Sequence, residues 1–314
     1  MSIRSFWIFL LAVLTVTSST SSFAVVISSG NGSGNTNAPS GPNGDLGWNY
    51  VGMVNGASGV YLGAYGGANW VLTANHVGFG NFTLNGTTYS AINGSGRQIG
   101  SIDLYAYQIT VGQGTGLSLL SNLTLAGTSP ATGETLTMIG NGKNRATSET
   151  YWRLTGTIPY TWNEIPRFFS NEYDPSGYKQ LSSSSKRWGS NQADEVVTVN
   201  STSMIQTTFN ESDQSGTANE AQGAIGDSGG GVFATNNGSY QLAGIINSVG
   251  TFRYYGQPDN TAVFGNVTYS IDVASYRSAI LNSVPEPGEF WLLILGGVFL
   301  AWVFLRAKKQ SHLI

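Results

Sequence analysis

Cysteine is absent from the 314 residues, which removes disulfide staples, iron–sulfur clusters, thiolate zinc sites and thiol nucleophiles together. Histidine is nearly absent: only His76 and His312 occur. A site built on several imidazoles is therefore excluded, and chemistry needing a histidine base falls to His76 unless the far C-terminus folds back. Charge is scarce as well, with 14 Lys plus Arg against 17 Asp plus Glu and a net charge of -3. That is too weak a field for electrostatic binding of nucleic acid, so no nucleic-acid partner is expected. What remains is 40% hydrophobic and 12% aromatic, with 42 Gly and 9 Pro. This is too much core-forming material for disorder and too few good helix formers for a bundle, so a β-rich globular domain is expected.

The two ends differ from the body. Residues 1 to 24 carry Arg4, an apolar run from Phe6 to Val16, and a Ser/Thr stretch closing at Ser22-Phe23-Ala24. One positive charge, a short apolar segment and small residues before the cut read as a secretory signal peptide cleaved by signal peptidase after Ala24. A permanent anchor needs about 18 apolar residues, more than this run supplies. At the other end Val284-Pro285-Glu286-Pro287 precedes an apolar run from Phe290 to Leu305, then Arg306, Lys308 and Lys309. The run makes about 24 Å of helix and spans a bilayer with help from its flanks. Its basic cluster should stay cytoplasmic, leaving the body outside. Pro-Glu-Pro, a short membrane helix and a terminal basic cluster, in that order, resemble the PEP-CTERM sorting signal of Gram-negative, exopolysaccharide-producing bacteria. The resemblance implies recognition by an exosortase, processing near Pro-Glu-Pro and delivery to the cell surface or extracellular biofilm matrix; an ordinary C-terminal anchor is the plainer alternative. The expected segments are a signal peptide over 1–24, a flexible Gly/Ser/Asn leader over 25–47, the main domain over 48–282, a linker over 283–289, a transmembrane helix over 290–305 and a basic tail over 306–314.

Within the body, short stretches rich in Val, Ile, Tyr and Thr recur between Gly and Asn turns: Tyr50 to Val54, Gly59 to Ala64, Trp70 to Thr73, Asp103 to Val111, Thr135 to Ile139, Glu195 to Val199, Gly231 to Ala234 and Tyr240 to Ile246. Such spacing predicts an all-β sandwich or barrel. Helical spacing at Val273, Tyr276 and Ile280 predicts one helix over 272–281. Residues 160 to 195, polar and punctuated by Pro, Gly and Ser182 to Ser185, read as long surface loops.

Two islands carry chemistry: Trp70-Val71-Leu72-Thr73-Ala74-Asn75-His76-Val77 and Gly226-Asp227-Ser228-Gly229-Gly230-Gly231. A serine hydroxyl is a weak nucleophile until a positioned imidazole takes its proton, and the imidazole needs a carboxylate on its other nitrogen to fix its tautomer. His76 directly follows an apolar strand, so a rigid element holds it. Glycines around Ser228 allow a tight turn that exposes the hydroxyl and aims the amides of Gly226 and Ser228 at one spot, an oxyanion hole worth ~3 kcal/mol per donor.

These islands resemble the trypsin-like, chymotrypsin-fold serine proteases. Gly226-Asp227-Ser228-Gly229-Gly230 matches the family's serine motif completely, and Leu72-Thr73-Ala74-Asn75-His76 matches its histidine motif with Asn75 in place of the usual alanine. Further similar segments are Pro130 to Gly133 with Met138 to Gly142, Arg187 to Asn191, Gly244 to Ser248 and Val273 to Ile280, so the likeness covers most of 48–282. It implies an all-β fold of two antiparallel barrels with a short C-terminal helix, the order His-Asp-Ser for a triad, and therefore Asp103 as the third member beside His76 and Ser228. By the same resemblance Asp227 is structural, shaping the oxyanion turn through a buried ion pair. No Ile-Val-Gly-Gly-like start precedes Trp48, which speaks against the family's N-terminal activation and leaves an internal cation as a substitute partner. Gln222, six residues before Ser228, falls at the base of the specificity pocket, with walls at Asn247, Ser248 and Gly250; an amide there argues against a preference for Arg or Lys and for neutral or small side chains. The expected activity is a serine endopeptidase acting on peptide or protein substrates, with no metal and no cofactor. The competing readings are a catalytically inactive homologue serving as a matrix or adhesion protein, and a carbohydrate-binding β-sandwich that would give Ser228 no role.

Overall fold

The computed structural model describes residues 25–40, 47–110, 116–211, 216–236 and 238–284. The expected signal peptide, membrane helix and basic tail lie outside the described residues, among which no helix is long and apolar enough to cross a membrane. The described chain is all-β with one short α-helix.

After a two-residue strand β1 (Val26–Ile27), tight turns fold the chain into hairpins. Asn55-Gly56, at φ 50° and 76°, joins β2 (Val51–Val54) to β3 (Ala57–Tyr65). This paired positive φ matches the twist of the flanking strands, and Asn and Gly adopt it at least cost. With β4 (Ala68–Ala74), β5 (Phe82–Leu84), β6 (Thr87–Tyr89), β7 (Arg97–Gln98) and β8 (Leu104–Ile109) they form an antiparallel sheet of order β6-β5-β2-β3-β4-β8-β7. The chain leaving β6 then reaches β8: Ile92 N donates to Gln108 O (2.9 Å) and Thr110 N to Ser90 O (2.8 Å). The sheet thereby closes on itself around Tyr61, Trp70, Phe82 and Tyr107, all fully buried.

The second half supplies β9 (Thr135–Gly140), then β10 (Thr150–Thr155), β11 (Thr161–Ile165), β12 (Ser176–Lys179), β13 (Arg187–Gln192), β14 (Glu195–Val199), β15 (Thr202–Thr208) and β16 (Ala221–Gln222). It ends with β17 (Gly231–Asn236), β18 (Ser239–Gly250), β19 (Thr261–Val263), β20 (Val267–Asp272) and α1 (Val273–Ser283). Its main sheet runs β13-β9-β17-β18-β20-β15-β14. The two outermost strands, β13 and β14, are consecutive, separated only by Ala193 and Asp194, and Asp194 N donates to Gln206 O (2.9 Å). One continuous chain therefore stitches both edges together, and a closed sheet has no edge to protect. Leu136, Met138, Ile205, Val232 and Ile246 fill its interior, each worth ~2 kcal/mol on burial. The Asp272 carboxylate caps α1 by accepting from Ala274 N (3.2 Å).

Two expectations change. Residues 160 to 195 are not long loops: they contain β11, β12 and β13, and β10, β11, β12 and β19 form a separate four-stranded sheet. Three of the five residues of β11 are exposed, so no apolar alternation marked it. The leader is ordered where it is described. Val25, Val26 and Ile27 are buried, and β1 pairs antiparallel with β16 through Val26 to Gln222 and Ile27 to Ala221.

Candidate active site

His76 and Asp103 stand at adjacent strand ends because β4 pairs with β8 in the register Ala74 to Leu104. His76 lies just beyond the end of one strand and Asp103 just before the start of the other. Val77 N and Gly78 N both donate to Ala74 O, so the chain turns at once and holds the imidazole near the sheet. The His76 Nδ1 to Asp103 Oδ2 distance is 2.6 Å, and His76 N donates to Asp103 Oδ1 at 2.8 Å. The ring hydrogen bond holds the His76 imidazole above its ordinary value of 6.5 against the opposing effect of burial. For Asp103 burial is the largest single influence and pushes up, but bonds from the His76 ring, the His76 backbone and Asn247 together hold it below the ordinary carboxylate value. Asn247 Nδ2 donates to Asp103 Oδ2 at 2.7 Å. Sequence reasoning placed Asn247 on the pocket wall; it does line the cavity, and its side chain donates to the acid.

Ser228 comes from the other sheet, in the turn ahead of β17. Gly229 N donates to Ile246 O (2.8 Å) and Gly230 N to Asp227 O (2.8 Å), fastening the turn to β18 and to itself. Ser58, fully buried on β3, ties it to the first sheet. Ser58 N donates to Ser228 O (2.9 Å), its hydroxyl donates to Gly226 O (3.0 Å), and that hydroxyl accepts from Asn141 N (2.8 Å). No sequence motif singled out Ser58. The amides of Gly226 and Ser228 donate to no acceptor among the described residues, leaving two donors unspent beside the hydroxyl. Gly226 sits at φ +96°, and a Cβ there would come within 3.0 Å of Gly142 Cα. The Ser228 hydroxyl donates to Asn247 O at 3.4 Å; among the described residues no hydrogen bond joins it to His76. Asn247 therefore contacts both Asp103 and Ser228 and brings the three predicted residues to one place.

Asp227 is completely buried. Its Oδ1 accepts from Gly142 N (2.8 Å) and Val25 N (3.3 Å), and its Oδ2 from Ala224 N (2.7 Å). Gly140 and Gly142 exist as glycines because a Cβ at either would lie 2.2 to 2.6 Å from the carboxyl group. Burial raises Asp227 to about 7, against the lowering effect of these amides and of the Arg187 charge. Arg187, also buried at 1% exposure, is the cation whose charge acts on Asp227, and burial brings it down to about 10. The Val25 contact was not anticipated, and the only sequence signal for it was an apolar Val25-Val26-Ile27 directly after the expected cleavage point.

A cavity of about 310 Å³ opens beside Ser228, and Gln222, Asn247 and Ser248 are among the residues that line it. Gly250 does not line it; Gly250 pairs with Val267 of β20 and faces Tyr269.

No protein-family model matches this chain, and no curated protein matches it. Among solved structures it is similar to an inactive form of Rv3671c from M. tuberculosis, at 11% identity over 76% of this chain and 87% of that one, with a TM-score of 0.43. It is also similar to neuropsin, a serine protease of mouse brain, at 14% identity over 81% and 99% with a TM-score of 0.43. A mutant of human heparin binding protein shares 14% identity over 80% and 97% with a TM-score of 0.45. Likenesses this low assign neither family nor activity.

Proposed function

We infer that this chain is a serine endopeptidase of the chymotrypsin type that hydrolyses peptide bonds through Ser228, His76 and Asp103. The observation that carries this reading is the convergence of a carboxylate-held imidazole, at 2.6 Å, with a serine flanked by two unspent amides. His76, its Nδ1 proton held by Asp103, takes the Ser228 proton on Nε2 as the oxygen attacks the scissile carbonyl. The Gly226 and Ser228 amides receive the oxyanion, and the His76 imidazolium then protonates the leaving amine. Water, activated by the same imidazole, releases the acyl group and restores the serine.

The remaining proposals concern the chain's life history. Signal peptidase cutting after Ala24 turns the Val25 amide into an ammonium 3.3 Å from Asp227 Oδ1, supplying the buried acid with a partner and fixing the oxyanion turn. The C-terminal run then holds the enzyme in the membrane until an exosortase sorts it to the cell surface or matrix.

One observation favours the inactive-homologue reading: the Ser228 hydroxyl points at Asn247 O and makes no bond to His76. Catalytic hydrogen bonds often form only once substrate is bound, so turnover decides. We expect the exported, processed protein to cleave fluorescent casein and the Ser228→Ala protein, equally folded by circular dichroism, to lose that cleavage about 10^6-fold. A folded wild type without cleavage of any protein or peptide substrate contradicts the proposal.

A further inference from the structure

The cavity next to Ser228 ends on a polar group that the fold does not use. Gln222 is 1% exposed, and neither its amide nitrogen nor its amide oxygen has a hydrogen-bond partner among the described residues. Its backbone is pinned by the pairing of β16 with β1. Gln180, on the same wall, keeps its Oε1 buried and unpartnered while its Nε2 reaches Thr261 O at 3.4 Å. Buried polar atoms are costly unless satisfied, so one donor group and two acceptors on side chains that line the cavity suit a guest that brings the complement. The ionisable side chains lining the cavity are Arg253 and Asp259, opposite in sign and both exposed.

We propose that this cavity selects substrates whose acyl-side residue, the one supplying the scissile carbonyl, carries a neutral carboxamide, glutamine or asparagine. The proposal rests on the protease reading above. The guest's carbonyl oxygen accepts from Gln222 Nε2, and its amide hydrogens go to Gln222 Oε1 and Gln180 Oε1. An alkyl side chain enters but leaves three polar atoms dry. A carboxylate finds one donor group facing two repelling acceptors, and an ammonium finds acceptors but no buried counter-charge. Sites that hydrogen-bond their substrate reject analogues lacking the bond far more strongly than apolar pockets discriminate by size.

The test uses the exported, processed protein and fluorogenic peptides differing only at the acyl-side residue: Gln, Asn, Glu, Lys, Leu and Ala. A fluorophosphonate probe counts reactive serines independently of the peptides. We expect kcat/KM for Gln to exceed that for Leu, Glu and Lys by at least about tenfold. In Gln222→Leu the Gln-to-Leu ratio should fall about tenfold or more, and in Gln180→Leu by less. Reactive serine with a flat profile, or with Leu, Glu or Lys preferred, overturns the selectivity and leaves the protease reading standing. A folded Gln222→Leu with an unchanged ratio does the same. No reactive serine and no cleavage of any peptide overturns both.

Discussion

The two closed sheets bring unlike halves to the site. The first contributes His76 and Asp103 already bonded to each other by side chain and backbone, at 2.6 and 2.8 Å, with Asn247 adding a third bond at 2.7 Å. The second contributes groups left open among the described residues, two amides without acceptors and a hydroxyl on a 3.4 Å bond, and β16, paired with β1 outside that sheet, adds a glutamine with neither end satisfied. The acids repeat the contrast. Asp103, surrounded by donors in a half-open setting, is held low, whereas Asp227, wholly buried, is raised to about 7. The difference teaches where the proposed substrate and processing would act: the base side is already bonded in the chain, and the nucleophile side is what a bound peptide and a charge at Val25 would finish.

The largest way to break this contrast is to spoil the finished half. Asp103→Asn should lower kcat about 10^4-fold, because the amide stabilises the wrong imidazole tautomer. It also removes the bond that raises His76, so the acid limb of kcat/KM, which in wild type lies above pH 6.5 because protonated His76 cannot act as base, should move to lower pH. A pH series of peptide hydrolysis on both proteins checks the direction.

Next in size is the charge at Val25. One additional residue ahead of Val25 in the processed protein displaces the ammonium from Asp227, and we expect about a 100-fold loss of kcat/KM, the scale of a disrupted buried pair. Stability should respond in a defined direction. In the unprocessed chain Asp227 sits above its ordinary 3.8 at about 7, so the folded state holds more protons than the unfolded one between those values, and stability falls as pH rises through that window. A free ammonium at Val25 lowers the carboxyl and flattens that decline. Melting temperatures at pH 4.5 and 7 for the two N-termini measure it.

The smallest expected effect sharpens the link between the halves. Ser58→Ala strands Gly226 O and Asn141 N without their buried partner, at about 1–3 kcal/mol of stability. A lower denaturation midpoint with an unchanged denaturant slope is the expected result.

Much of this was legible because the signals are local. Val, Ile, Tyr and Thr runs between Gly and Asn turns located the strands around His76, Asp103 and Ser228, and helical spacing located α1. Glycines beside Ser228 flagged the turn, and the end of an apolar strand flagged His76. What was not legible depends on partners distant in sequence. Ser58 acts on Gly226 across 168 residues, and Asn247 on Asp103 across 144, and nothing near either residue in the chain marks the role. β1 was hidden by the Gly- and Ser-rich stretch after it, and β11 by its exposed faces. Gly250 was assigned to the pocket wall with Asn247 and Ser248 through the family resemblance, whereas strand pairing turns it toward β20.

The central claim, that Ser228 is a nucleophile activated by the preassembled His76–Asp103 pair, is tested most directly by fluorophosphonate labelling of the exported, processed protein as a function of pH. The account predicts labelling that climbs with pH through a midpoint above 6.5 and is lost in both folded Ser228→Ala and folded His76→Ala. Labelling that persists without His76, or a folded wild type that is never labelled, contradicts it.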